Sequence, residues 1–289
     1  MKRILVPTDF TGQSENALKF AYQIAKKING EIELLHVLDV PEGDQYSGMD
    51  YISTGGEFSG GEHINDLFFV KLLEKTKERF EVILTSPDYQ DIKIIDRMKV
   101  GSPYKSIVEE TEKGKVDLIV MGTSGVNDWE EAVVGSTAER VVRKAKCPVL
   151  TIQNKVNLND IKNIAYASDF KYNHDYLVDL VKEFGLTLNA KIHLVKVNTP
   201  SNFKNDDENI AILKSFAEEN KFSDYELHIY NHEEEEDGII CFAENYGMNM
   251  IVMATEGKTG FSRLLEGSIA EDVVNYSKIP VLTFRTLKT

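Results

Sequence analysis

The amino-acid sequence predicts an α/β fold built twice, as two tandem domains that each hold a parallel sheet with helices on both faces. Three observations carry this. Short apolar runs alternate with amphipathic stretches of helical period along the chain, which is the pattern of successive βα units. The stretch Val116–Ile152 sets an apolar run, a glycine-punctuated loop, an amphipathic helix and a second apolar run in series. That stretch then recurs. Gly125, nine residues and Gly135-Ser136 return as Gly257, nine residues and Gly267-Ser268, and Cys147-Pro148-Val149-Leu150 returns as Ile279-Pro280-Val281-Leu282, every pair offset by 132 residues.

In chain order, Lys2–Val6 is a short aliphatic strand leading into Pro7-Thr8-Asp9-Phe10. From Ser14, the residues Ala17, Leu18, Ala21, Ile24, Ala25 and Ile28 recur at helical spacing, and Asn29-Gly30 stops the helix. Glu31–Val40 is the second strand, parallel to the first through a right-handed crossover. Pro41–Gly61 carries six glycines and few aliphatics and reads as a surface loop. A helix over Ile64–Phe80, a strand over Asp91–Val100 and a helix from Tyr104 to Lys113 follow. The half closes with strand Val116–Met121, the glycine loop, helix Thr137–Lys146 and strand Val149–Ile152.

The second half repeats this order. Ile164–Phe170 (IAYASDF) matches Ile4–Phe10 (ILVPTDF), and Ala190–Val197 matches Gly30–Val37, both at an offset of 160 residues. The offset falls to 132 by the glycine motif, so the first half carries 28 extra residues, which the glycine-rich loop accounts for. Domains at 1–153 and 160–289 are expected, joined by the polar linker Gln153–Asp160, with the halves forming a pseudo-twofold pair.

Composition narrows the function. A formal net charge of −14 disfavours a nucleic-acid partner. No run approaches the 18 apolar residues of a membrane helix, and MKRILVPTDF enters a strand with no signal-peptide core. Two cysteines, Cys147 and Cys241, read as buried thiols of a reducing compartment. A cytoplasmic protein is expected.

The glycine loops carry the chemistry. Glycines at the end of a strand let backbone N–H groups approach an anion, and a helix N-terminus adds unpaired N–H groups and a favourable dipole. Gly122 and Gly125 could instead serve only as turns, but the kept spacing of the second copy argues for nucleotide phosphate binding. In a parallel sheet, ligands bind beyond the carboxyl ends of the strands where the order reverses, and Asp9 and Gly122 would share such a crevice. Asp9 could instead cap the helix or close a local turn; its recurrence as Asp169, again before Phe, favours the ligand role. Ser136 and Ser268, with Glu139 and Glu271 three residues on, form capping boxes, or else bind phosphate with the same N–H groups.

These residues resemble tandem universal stress proteins of the UspA type, whose ATP-binding subgroup carries Gly-x-x-Gly, nine residues, then Gly-Ser/Thr. Gly122, Gly125, Gly135 and Ser136 match it, and the similarity covers nearly the whole chain twice. The resemblance implies Rossmann-like sheets (adenine nucleotide alpha hydrolase-like), each five-stranded with order 3-2-1-4-5. It implies ATP, ADP or AMP as ligand. Asp9, flanked by Pro7 and Thr8, and the backbone of Val37 would then hold the adenosine end. Gly122 with Thr123 would meet the ribose, and Gly125, Gly135, Ser136 and Thr137 the phosphates. The counterparts are Ala167, Ser168, Asp169, Val197, Ala254, Thr255, Gly257, Gly267 and Ser268. It also implies an intramolecular pseudo-dimer, with a homodimer of chains as a further assembly.

The halves depart from the family pattern in complementary ways. The first loop holds Asp128, Glu130 and Glu131 where a basic residue is usual. Like charges about 4 Å apart repel by roughly 4 kcal/mol at an effective dielectric of 20, so a triphosphate facing those acids calls for Mg2+. The second loop supplies Lys258 and Arg263, but Ala254 replaces the first glycine, and the second site is expected to hold the triphosphate better. Trp129 is expected at the domain interface and His36 in the core. His232 with Glu233–Asp237 reads as a solvated charged loop, and the other histidines lack metal-ligand spacing. No catalytic residue and no metal ligand is assigned. The expected function is nucleotide-binding regulation in the stress response; the alternatives are a slow ATPase or adenylate-transferring enzyme, and a nucleotide-free scaffold.

Overall fold

The computed structural model describes residues 1–39, 63–113, 115–123, 136–170, 175–256 and 269–286. Within the first half, strand β1 (Arg3–Pro7) leads to helix α1 (Gly12–Ile28), β2 (Glu31–Leu38), α2 (His63–Thr85), β3 (Ile94–Val100), α3 (Pro103–Glu112), β4 (Leu118–Gly122), α4 (Ser136–Lys144) and β5 (Val149–Ile152). The second half runs β6 (Asn163–Ala167), α5 (Asp175–Leu188), β7 (Lys191–Asn198), α6 (Asp206–Glu219), β8 (Tyr225–Asn231), α7 (Glu235–Asn245), β9 (Met250–Glu256), α8 (Ile269–Tyr276) and β10 (Val281–Thr286).

The apolar stripe of α1 is buried at Ala17, Leu18, Ala21, Ile24 and Ala25. The helix stops where Asn29 turns left-handed at φ 56°, and Asn189 repeats that turn after α5 at φ 50°. Helix α2 continues five residues past its expected end at Phe80, because the break comes only at the 3₁₀ turn Pro87–Tyr89, where Ser86 Oγ accepts from the Asp88 amide. The expected strand from Asp91 begins to pair at Ile94, opposite Ile32. The glycine-rich loop and Trp129 lie outside the described residues.

Each half has the predicted strand order, β3-β2-β1-β4-β5 and β8-β7-β6-β9-β10, with every pair inside a half parallel. The two sheets are one. β5 and β10 pair antiparallel with Leu150 opposite Leu282 and Thr151 opposite Val281, so the ten strands form a continuous sheet. The pairing is self-complementary: Thr151 Oγ1 donates to the Val281 carbonyl at 3.2 Å, and Thr283 Oγ1 donates to the Val149 carbonyl at 3.3 Å. A parallel α/β sheet must be covered on both faces. α1, α2, α5 and α6 cover one, and α3, α4, α7 and α8 the other.

The linker is tied down. Gln153 Nε2 donates to the carbonyls of Val274 and Asn275, and the Leu158 amide donates to Gln23 Oε1. Across the seam Arg143 bridges both halves, reaching Glu139 at 3.1 Å and Glu271 at 3.2 Å. Of the capping boxes, the described part is this use of the two glutamates. Ser268 lies outside the described residues.

Candidate functional site

The switch point of each half lies between its first and fourth strands, where the order 3-2-1-4-5 sends successive crossovers in opposite directions. At the carboxyl end of β1 the chain makes a tight polar turn. Thr8 is buried, its amide donates to the Leu35 carbonyl, its hydroxyl donates to Ser14 Oγ, and that hydroxyl also accepts from the Phe10 amide. Phe10 sits at φ 62°. A bulky residue in the left-handed region costs of order 1–3 kcal/mol and persists only where its surroundings over-determine it. The second half repeats the strain: Phe170 has φ 56°, and Ser168 Oγ accepts its amide at 3.0 Å.

Asp9 is exposed at this turn. Its Oδ1 accepts from the Thr11 hydroxyl at 2.6 Å and the Thr11 amide at 3.0 Å. Desolvation raises the carboxyl pKa, but the hydrogen bonds from Thr11 and its neighbours outweigh it and hold the group below its ordinary value. The local-turn role is therefore in place in this structure, and it leaves Asp9 ionised and at the crevice edge. His36 lies half-buried rather than in the core: Nδ1 donates to the Thr8 carbonyl at 2.7 Å, and the ring packs on Phe10 at 4.7 Å. Desolvation depresses its pKa, so the neutral ring is favoured.

Gly122 ends β4 against the start of α1. A Cβ there would meet the Gln13 carbonyl carbon at 2.5 Å, its oxygen at 2.6 Å and the Ser14 nitrogen at 2.9 Å. Packing alone thus demands glycine at the first position of the signature. Its positional counterpart, Ala254, is half-buried. Thr123 follows Gly122 with its amide on the Ile152 carbonyl and, among the described residues, no partner for its buried hydroxyl. Pro7, Thr8, Asp9, Val37, Gly122 and Thr123 are thus gathered at the carboxyl ends of β1, β2 and β4, and Ala167, Ser168, Asp169, Val197, Ala254 and Thr255 at those of β6, β7 and β9. Thr137 lies half-buried in α4. Gly125, Gly135, Gly257, Lys258, Arg263 and Gly267 lie outside the described residues.

In the second half the segment beside the second strand is held by its own polar network. Past β7 the chain knits itself shut: Asn198 Oδ1 accepts from the Lys204 amide and from Asn209 Nδ2, and Asn198 Nδ2 donates to Asn231 Oδ1 at 2.9 Å. Asn202 Nδ2 donates to Glu235 Oε1 at 2.6 Å and reaches the Val197 carbonyl at 3.4 Å. The Val197 backbone, cast for the adenosine end, is already engaged from within the chain. The acidic run after His232 leads into α7: Glu234 is the N-cap, and Glu235, Glu236 and Asp237 in the first turn meet the positive end of the helix dipole.

The family profile described as the universal stress protein family matches residues 1–153 and again residues 160–285. The chain belongs to the universal stress protein family. Over 152 residues it is 36% identical to universal stress protein MJ0531 of Methanocaldococcus jannaschii, covering 53% of this chain and 82% of that one. It is 23% identical over 295 residues to universal stress protein Slr1230 of Synechocystis sp., covering 99% of this chain and all of that one. A universal stress protein from Archaeoglobus fulgidus superposes with a TM-score of 0.76 at 21% identity over 98% of both chains, which shows the shared tandem fold. In this universal stress protein, no helix among the described residues is long and apolar enough to cross a membrane.

One grouping joins residues far apart in the linear sequence. His193, Glu226 and His228, which lack metal-ligand spacing as read along the chain, bring their ligand atoms within 4.8 Å of one another across β7 and β8.

Proposed function

We propose that this universal stress protein binds an adenine nucleotide, ATP foremost, and acts as a binding and regulatory protein. The observation that carries the reading is the meeting of the signature's first glycine, Gly122, with the Thr8–Ser14 turn at the switch point of the first half. An ionised Asp9, an unpartnered Thr123 hydroxyl among the described residues and a strained turn gather at that point. Such strain concentrates at ligand sites.

The first half is the principal site in this reading, with Gly125, Gly135, Ser136 and Thr137 holding phosphate and Mg2+ offsetting Asp128, Glu130 and Glu131. Lys258 and Arg263 favour a triphosphate in the second half, but the Asn202 amide on the Val197 carbonyl disfavours the adenosine end there. The domains of the proposal are 1–153 and 160–289, one crevice in each.

The test is to denature freshly purified protein without added nucleotide and analyse the released small molecules by chromatography with mass detection. About one ATP per chain, lost in Gly135→Val and kept in Gly267→Val, is the expected result. No released nucleotide, and none bound on titration with millimolar ATP and magnesium, overturns it.

A further inference from the structure

We infer that His193, Glu226 and His228 form a Zn2+ site on the edge of the second half, separate from the nucleotide crevice. β7 and β8 are parallel neighbours in which His193 stands opposite Glu226 and Val195 opposite His228. Alternate residues of a strand share a face, so Glu226 and His228 point to the side on which His193 lies. The potential ligand atoms form a compact triangle. His193 Nδ1 and His228 Nε2 are 3.0 Å apart, and each is 3.6 Å from Glu226 Oε2. Zinc bound tetrahedrally by nitrogen and carboxylate oxygen at about 2.0–2.2 Å holds its ligands roughly 3.3–3.5 Å from one another. An ion about 2 Å from all three atoms therefore fits with side-chain shifts of only a few tenths of an ångström.

The surrounding residues orient the triad as a metal requires. His193 Nε2 lies 3.2 Å from Asn163 Oδ1; donating there turns the Nδ1 lone pair toward the triangle. A ligating histidine held through its other nitrogen in this way is the usual outer support of a metal site. Lys191 Nζ holds Glu226 Oε1 at 2.8 Å, which directs Oε2 inward. Phe242 and Tyr246 pack on the His228 ring at 5.0 and 5.4 Å and fix its plane. His193 is buried, while Glu226 is half-exposed and gives an ion an entry path from solvent.

Three protein ligands leave a fourth position for water, the arrangement of an open zinc site. The site lies in the amino-terminal half of β7, five residues before the Asn198 turn, so nucleotide and metal occupy opposite ends of the strand.

The experiment uses full-length, tag-free protein stripped with chelator. Zn2+ is titrated in competition with a chromophoric chelator at pH 7.5, and Co2+ is added in parallel to read its visible d–d bands. One equivalent per chain with a dissociation constant of about 1 μM or below is expected, weakened about 10-fold or more in Glu226→Gln and in His228→Gln. Asn163→Ala, which touches no metal, is expected to lose about 10–100-fold. Thermal unfolding without metal establishes that each variant folds as the parent does; if His228→Gln does not, the half-exposed Glu226→Gln decides. No stoichiometric uptake by the parent up to about 100 μM Zn2+, or unchanged affinity in Glu226→Gln, overturns the site.

Discussion

Gly122→Ala isolates the packing role of the signature's first glycine. Gly122 does not have a positive φ, so alanine is conformationally allowed there, and restricting the unfolded chain would by itself stabilise by about 0.4–1 kcal/mol. The added Cβ, however, would lie 2.5–2.9 Å from three backbone atoms of Gln13 and Ser14. Backbone cannot rotate away, so the first turn of α1 must retreat from β4 by roughly 1 Å to restore ordinary contact, against a stripe buried at Ala17, Leu18 and Ala21. Overpacking of this kind costs about 1–3 kcal/mol. The expected net loss is about 1–2 kcal/mol by urea denaturation of nucleotide-free protein, with Ala254→Gly as the control, losing about 1 kcal/mol through one methyl and chain entropy. Gly122→Ala as stable as the parent without nucleotide, yet defective in ATP binding, would refute the packing argument and return the glycine to the ligand alone.

Other consequences follow from the seam and the ion pairs. Leu150→Ala removes a fully buried side chain at the centre of the β5–β10 pairing and should cost about 2–5 kcal/mol, read as a fall in thermal midpoint and faster proteolysis. Arg143→Met should cost about 0.5–1 kcal/mol at low salt, shrinking in 0.5 M NaCl, because Arg143 is half-exposed while spanning Glu139 and Glu271. Glu110 is buried, and although desolvation raises its pKa, hydrogen bonds from Lys113 and Lys99 prevail and lower it below 4.5. A folded-state pKa below the unfolded one contributes stability above the unfolded value that is lost as pH falls through the folded one. Glu110→Gln should therefore flatten the stability–pH curve below about pH 4.5, with an unchanged acid limb in urea titrations counting against this pairing.

Several sequence readings held because they rest on local periodicity. The stripe of α1, the stop at Asn29 and the short run Val149–Ile152 need only neighbouring residues to declare themselves. The late end of α2 shows the limit of that reading: Ile83, three residues past Phe80, keeps the helical spacing and packs on the core, and the backbone continues to the Pro87 turn. At the site, the recurrence of Asp9 as Asp169 sets a carboxylate just past the first strand of each half. It could not tell a carboxylate serving a ligand from one serving Thr11, since both need an acceptor at the same place. The meeting of His193 with His228 is not legible from spacing because the two lie 35 residues apart; the local trace of it is Glu226-x-His228, an alternating pair on a strand.

By itself the sequence determined that this protein is two copies of one α/β unit, the order of their strands and helices, and the glycine pattern repeated in both halves. These are properties of hydrophobic period and of residue type at fixed offsets. The tertiary structure alone decided that the two sheets fuse through an antiparallel Leu150–Leu282 seam, that Gly122 is held small by the backbone of α1, and that residues 35 positions apart meet as His193 and His228. Those outcomes depend on register and approach between distant segments, and such distances are set only when the cores on both faces of the sheet have packed.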